Sequence, residues 1–218
     1  MIDIAVVDYG MGNLRSVAKA LEHVAPDKSV VITSDPALIH DAERVVFPGQ
    51  GAMPDCMREL ESRGLREAIV TSAGSKPFLG VCIGLQLLFE HSEEGDAAGL
   101  GILKGKVRRF ARELHDEQGQ KLKVPHMGWN QVYRDDAEVG HVHPMWRNIP
   151  DGERFYYVHS YYLDPEDKSL AAGYSDYPVR FTSCIARDNI FAVQFHPEKS
   201  QHAGLQLLSN FVQWNGHP

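Results

Sequence analysis

The segment Pro77-Phe78-Leu79-Gly80-Val81-Cys82-Ile83-Gly84-Leu85-Gln86-Leu87-Leu88-Phe89 is apolar on both sides of a single cysteine. A buried strand up to Val81, a sharp turn at Cys82 and a helix over Ile83–His91 satisfy that pattern. Gly80 and Gly84 flank the turn, where the absence of a Cβ lets neighbouring segments come close. The sulfur of Cys82 then sits at a helix N-terminus, where unpaired N–H groups favour a thiolate. The N–H of Ile83 is half of an oxyanion hole for whatever carbon the thiolate attacks. Taken alone, Cys82 reads more readily as a small core residue, since free cysteines are commonly buried.

Three cysteines, Cys56, Cys82 and Cys184, are too few and too widely spaced for a disulfide framework or a zinc site. Cys56 and Cys184 read as structural. The 218 residues are enough for one α/β domain with a core that needs no covalent cross-links. A net charge of −7 argues against nucleic acid as the main partner, because phosphate neutralisation needs a basic surface. No apolar run approaches the roughly 18 residues of a membrane span. Met1–Asp8 begins directly as a strand, with no secretory pattern, so a cytoplasmic protein is expected.

The remaining chain alternates strands and helices in its first half. After Met1–Asp8 comes a helix over Asn13–Val24, then strands at Ser29–Thr33 and Arg44–Phe47, with Asp35-Pro36 opening a short helix between them. Gly10-Met11-Gly12 lacks the third glycine of a dinucleotide fingerprint, since Arg15 occupies that place. It reads instead as a contact loop at a strand end. Pro48-Gly49-Gln50-Gly51-Ala52 is a second glycine turn at a strand end, free to aim its N–H groups inward, or a plain turn. Helices follow at Pro54–Arg63 and Leu65–Ala73, and Ser92-Glu93-Glu94-Gly95-Asp96 reads as a solvated loop.

From Gly105 onward strands and turns dominate. Glu117-Gln118-Gly119-Gln120 is a hairpin tip, and Pro125-His126-Met127-Gly128-Trp129-Asn130 a loop serving as an interaction surface or an apolar plug. Arg154–Tyr162 is an aromatic strand whose tyrosines need hydrogen-bond partners. Strands at Leu170–Tyr174, Val179–Arg187 and Ile190–Phe195 precede a closing helix, Gln201–Trp214. Ahead of that helix stands His196-Pro197-Glu198. An imidazole that takes the thiol proton and returns it to a departing nitrogen, aligned by a carboxylate, is what a cysteine nucleophile needs. The same turn has an ordinary structural reading by itself. The elbow, the glycine turn and the histidine turn all fall at strand C-terminal ends, where open α/β sheets place their sites.

Together Gly80-Val81-Cys82-Ile83-Gly84, Gln86 four residues after the cysteine, and His196-Pro197-Glu198 make the chain resemble the triad-type class I glutamine amidotransferases. Asp8-Tyr9-Gly10-Met11-Gly12-Asn13-Leu14, Pro125-His126-Met127-Gly128-Trp129-Asn130 and Val158-His159-Ser160-Tyr161 extend the resemblance over the whole chain. It is closest to the branch that passes ammonia to a (β/α)₈-barrel cyclase. The resemblance implies one amidotransferase domain over 1–218, flavodoxin-like, with a mostly parallel central sheet flanked by helices and added antiparallel strands in the C-terminal half. It implies L-glutamine as substrate and Cys82, His196 and Glu198 as the catalytic set. Gly49, Gln50, Gly51 and Ile83 would form the oxyanion hole, and Gly51, Gln86, Ser160 and Tyr161 would grip the glutamine head group. Asn13, Met127, Trp129, Asn130, Tyr156 and Lys199 would face the cyclase subunit in a heterodimer. No metal or other cofactor is implied. A glutaminase serving another acceptor, a γ-glutamyl peptidase and a non-catalytic module on this fold are the competing readings.

Overall fold

The computed structural model describes residues 2–115, 118–134 and 142–217. In its first half short apolar strands alternate with helices: β1 (Ile4–Val7), α1 (Leu14–Val24), β2 (Val30–Thr33), α2 (Pro36–Asp41) and β3 (Arg44–Phe47). These are followed by α3 (Met53–Ser62), α4 (Arg66–Ala73), β4 (Phe78–Val81) and α5 (Ile83–Gln86). The expected cap of α2 is present, with Asp35 Oδ1 accepting from the Ala37 N–H at 2.9 Å and Pro36 in the first turn. On α1 the residues Val17, Ala18 and Leu21 turn inward.

The helix expected over Ile83–His91 ends at Gln86, and β5 (Phe89–Ser92) begins three residues later. Leu85, Leu87, Leu88 and Phe89 are all fully buried, so the run has no solvent face by which a helical period could be told from a strand. Pairing with the next long strand decides it: Phe89 lies opposite Leu103 in parallel register.

The second half supplies β6 (Ala97–Ala98), β7 (Leu103–Arg109), β8 (Leu114–His115), β9 (Lys121–Leu122) and β10 (His126–Arg134). It closes with β11 (Glu153–His159), β12 (Tyr161–Pro165), β13 (Ala171–Tyr177), β14 (Val179–Arg187), β15 (Ile190–Val193) and α6 (Gln201–Gln213). β8 and β9 pair as the expected hairpin; Glu117 of its tip lies outside the described residues. The segment expected as a loop around Met127 is the start of β10, because it pairs residue for residue with β11, from His126 opposite His159 to Val132 opposite Glu153. The aromatic strand expected over Arg154–Tyr162 is broken at Ser160 into β11 and β12.

β2-β1-β3-β4-β15 form a parallel core, on which β14, β12 and β7 continue antiparallel. Both faces of the parallel strands are covered, so β1, β4 and β15 are buried at every position. The C-terminal helix is fastened to the sheet by Arg44, whose guanidinium donates to the carbonyls of Phe211 (3.0 Å) and Trp214 (2.9 Å). Among the described residues no helix is long and apolar enough to cross a membrane.

Candidate active site

Cys82 joins β4 to α5 with φ +55° and ψ −112°, outside the regions an L-residue adopts freely. Such a conformation costs about 1–3 kcal/mol and persists only where its surroundings hold it. Here the Cys82 N–H donates to the Val193 carbonyl at 2.8 Å, and the Cys82 carbonyl accepts from the N–H groups of Leu85 (3.1 Å) and Gln86 (3.3 Å). Gly84 makes the bend possible, for a Cβ there would fall 1.8 Å from the Phe47 carbonyl oxygen. A four-residue helix carries little macrodipole, so the surroundings of the sulfur come from side chains rather than from α5.

One of those side chains is His196. It begins a short 3₁₀ turn, Pro197–Lys199, beyond the end of β15, and its Nδ1 bonds Glu198 Oε1 at 2.9 Å. Both side chains are almost wholly buried, at 5% and 3% exposure. The other ring nitrogen, Nε2, is buried with no geometrically formed hydrogen bond among the described residues, and the ring lines the same cleft as Cys82, which interacts with it electrostatically. Burial works against a charge on His196, but its interactions with Cys82 and Glu198 outweigh it and raise the imidazole to about 10. Behind the ring, Ser200 Oγ donates to the His196 carbonyl at 2.6 Å and accepts from the Tyr156 N–H at 2.9 Å. The His196 N–H in turn donates to the Tyr156 carbonyl at 2.9 Å.

The glycine turn after β3 lies on the far side of the cleft. A Cβ on Gly49 would sit 1.8 Å from Tyr9 Oη and 2.1 Å from Ile83 Cγ2, so this peptide is clamped between the first-strand loop and the elbow. Gly12 uses its positive φ to lie against Gly49, where a Cβ would be 3.2 Å from the Gly49 Cα. The Gly-x-Gly of the first loop therefore supports the turn. Cys56 is buried directly beneath, its thiol 3.8 Å from the Gln50 carbonyl and pushed up by burial to about 11. Ile83, as the first residue of a helix, has an N–H with no intrahelical acceptor.

Between these walls is a cleft of about 320 Å³. Gln50, Gly51, Cys82, Ile83, Gln86, Ser160, Tyr161 and His196 all line it; Gly49 and Glu198 lie one layer behind. A chain of hydrogen bonds with a fixed sense runs along its floor. The Tyr161 carbonyl can only accept, so His159 Nδ1 carries the proton of their 2.7 Å bond. Burial holds His159 neutral, down at about 3, which leaves its Nε2 to accept from His126 Nδ1 at 2.8 Å. His126 is likewise lowered by burial, to about 4, and its Nε2 accepts from Asn130 Nδ2 at 3.4 Å. The Tyr161 carbonyl also accepts from Gln86 Nε2 at 3.4 Å. That same nitrogen donates to Gln194 Oε1 at 2.9 Å, which turns Gln194 Nε2 toward the Cys82 sulfur at 3.8 Å.

Residues 5–214 match the family model of glutamine amidotransferase class-I. The chain belongs to that family. Relatives of the amidotransferase include imidazole glycerol phosphate synthase subunit HisH of Thiobacillus denitrificans, 66% identical over 98% of this chain and 92% of the relative. The same subunit of Aromatoleum aromaticum is 64% identical over 98% of this chain and 99% of the relative. At such identity over nearly the full length, the amidotransferase belongs among the HisH subunits. Among solved structures, one described as a glutamine amidotransferase superposes with TM-score 0.69 at 13% identity, covering 96% of this chain and 99% of the other. A glutamine amidotransferase from Thermotoga maritima superposes with TM-score 0.57 at 17% identity, covering 90% of this chain and 76% of the other. At these identities both report on the fold.

On the amidotransferase surface, Met127 is 62% and Trp129 42% exposed, and Asn13 is also exposed. Trp129 stands opposite Tyr156 in the β10–β11 register, their rings edge to face at 6.0 Å. Asn130, Tyr156 and Lys199 are half-buried. Four polar residues of the amidotransferase site had no role assigned from the sequence: Gln194, Ser200, and the His126–His159 pair. Glu94, read as part of a solvated loop, accepts from the Met53 N–H at 2.8 Å and so caps α3 beside the cleft. Among the described residues no cluster of three or more His, Cys, Asp or Glu is placed to hold a metal.

Proposed function

We propose that the chain, as one amidotransferase domain over 1–218, hydrolyses the side-chain amide of L-glutamine and delivers ammonia to a (β/α)₈-barrel cyclase subunit. In histidine biosynthesis that partner uses the ammonia to form imidazole glycerol phosphate and an aminoimidazole carboxamide ribotide. The observation that carries the reading is the strained Cys82 sharing a cleft with His196, whose Nδ1 is held by Glu198 and whose Nε2 is left by the described residues to face that cleft.

The Cys82 thiolate attacks the amide carbon, and the oxyanion is met by the N–H of Ile83 and the Gly49-Gln50-Gly51 turn. His196 Nε2 gives its proton to the departing nitrogen, which leaves as ammonia, and a γ-glutamyl thioester remains on Cys82. Water then attacks the thioester while Nε2 takes a proton from it. Collapse releases glutamate and restores the thiolate–imidazolium pair. Glu198 keeps Nδ1 protonated and the ring aligned throughout. Gly51, Gln86, Ser160 and Tyr161 border the space for the glutamine head group.

Ammonia that met bulk water would be protonated and lost as a nucleophile, so the cleft needs a closed route to its acceptor. The exposed Met127 and Trp129, with Asn13, Asn130, Tyr156 and Lys199, form the face offered to the cyclase. Treatment with a glutamine-mimicking electrophile, read by mass spectrometry, is expected to leave one adduct on Cys82; its absence there would remove the mechanism. Glutamine turnover is expected to rise when the cyclase and its nucleotide ligand are added. An equal rate for the isolated chain would remove the dependence on the partner.

A further inference from the structure

From Gln86 the donated bonds run on to the nucleophile, and the last donor before it is a residue with no assigned role. Gln194 is wholly buried between the fully buried Val193 and Phe195, a position where an aliphatic side chain would pack at no polar cost. A buried amide is tolerated only when its polar ends are bonded. The two ends here bond two different functional residues: Oε1 accepts from Gln86 at 2.9 Å, and Nε2 meets the Cys82 sulfur at 3.8 Å.

The sense of that contact follows from elimination. The Tyr161 carbonyl has no proton, so the nitrogen end of Gln86 must face it. The same nitrogen faces Gln194, which must therefore present its oxygen to Gln86 and its nitrogen to the sulfur. An N–H donor strengthens toward a charged acceptor, so this one favours thiolate over thiol. It also fixes the direction of the sulfur from the side of Gln194, complementing His196.

We propose that Gln194 is a positioning residue for the reaction: its amide N–H holds the Cys82 sulfur as a thiolate in the attacking orientation, and Gln86 locks that amide the right way round. This rests on Cys82 being the nucleophile.

The test is the pH dependence of Cys82 alkylation by iodoacetamide, followed on the Cys82 peptide, in the unsubstituted protein, Gln194→Met and Gln194→Glu. Gln194→Met keeps the length and removes the donor; Gln194→Glu keeps the shape and puts an acceptor oxygen against the sulfur. The inflection is expected to move up by about half a unit to one unit in Q194M, a roughly three- to tenfold slower alkylation at pH values below the inflection, and further in Q194E. For glutamine hydrolysis kcat falls with KM little changed. An unmoved inflection in a variant that folds overturns the proposal. In the unsubstituted protein the labelled side-chain amide of Gln194 is expected to shift with the Cys82 inflection; a flat response overturns the proposal whether or not either variant folds. Cys82→Ser tests the underlying assignment separately, since glutamine hydrolysis that survives it would refute the nucleophile and leave the Gln194 contact standing.

Discussion

The buried histidine pair gives a stability signature whose size follows from the structure. His126 and His159 share a 2.8 Å bond and are held neutral, lowered by burial to about 4 and about 3. In the unfolded chain each returns to about 6.5. Between those values the unfolded state binds more protons, so folding stability falls as pH falls. The loss begins near pH 6.5 and is complete only below the folded values. From pH 7 to pH 5 each histidine removes about 2 kcal/mol, and the pair about 4 kcal/mol, a large part of the roughly 5–15 kcal/mol that holds a domain together. Comparison with His126→Gln/His159→Gln isolates this contribution, because glutamine donates and accepts but does not titrate. Urea unfolding at the two pH values is expected to show the unsubstituted protein losing about 4 kcal/mol more than the double variant. Equal losses would refute the claim that these imidazoles are kept neutral by the fold.

Gly49→Ala is expected to cut glutamine turnover about 100-fold or more, since the new Cβ must displace the turn from Tyr9 and Ile83; steady-state kinetics with the cyclase present check it. Glu198→Gln removes one of the two groups that raise His196, so the imidazole titrates lower and kcat drops by roughly 10³–10⁴-fold. The pH–rate profile reports both, and an unchanged profile would count against the Glu198 role. Trp129→Ala is expected to weaken cyclase association by about 2 kcal/mol, near 30-fold in Kd by calorimetry, with the unfolding midpoint of the isolated chain unchanged.

The first-half strands, the cap of α2 and the elbow were legible because each rests on local chemistry: short apolar runs, Asp35 before Pro36, a glycine on either side of Cys82. The length of the elbow helix was not, because Leu85, Leu87, Leu88 and Phe89 are buried on every side and carry no period. Met127 and Trp129 looked like loop residues beside Pro125 and Gly128; only pairing with β11, about thirty residues away, makes them strand. Gln194 was hidden for a related reason. Its partners, Gln86 and Cys82, are more than a hundred residues distant, so nothing near it in the chain marks it as polar for a purpose. Glu94 likewise looked solvated until its bond to Met53, 41 positions earlier, was in view.

One oxygen, the Tyr161 carbonyl, takes both the imidazole chain and the Gln86 amide, and it belongs to the backbone. Every amino acid placed at 161 would bring the same atom, so a scan of substitutions across the cleft would score its spokes and pass over their hub. Only a twist of that peptide plane unfastens both arms together, and whatever leans on the gap between β11 and β12 has its hand on that plane.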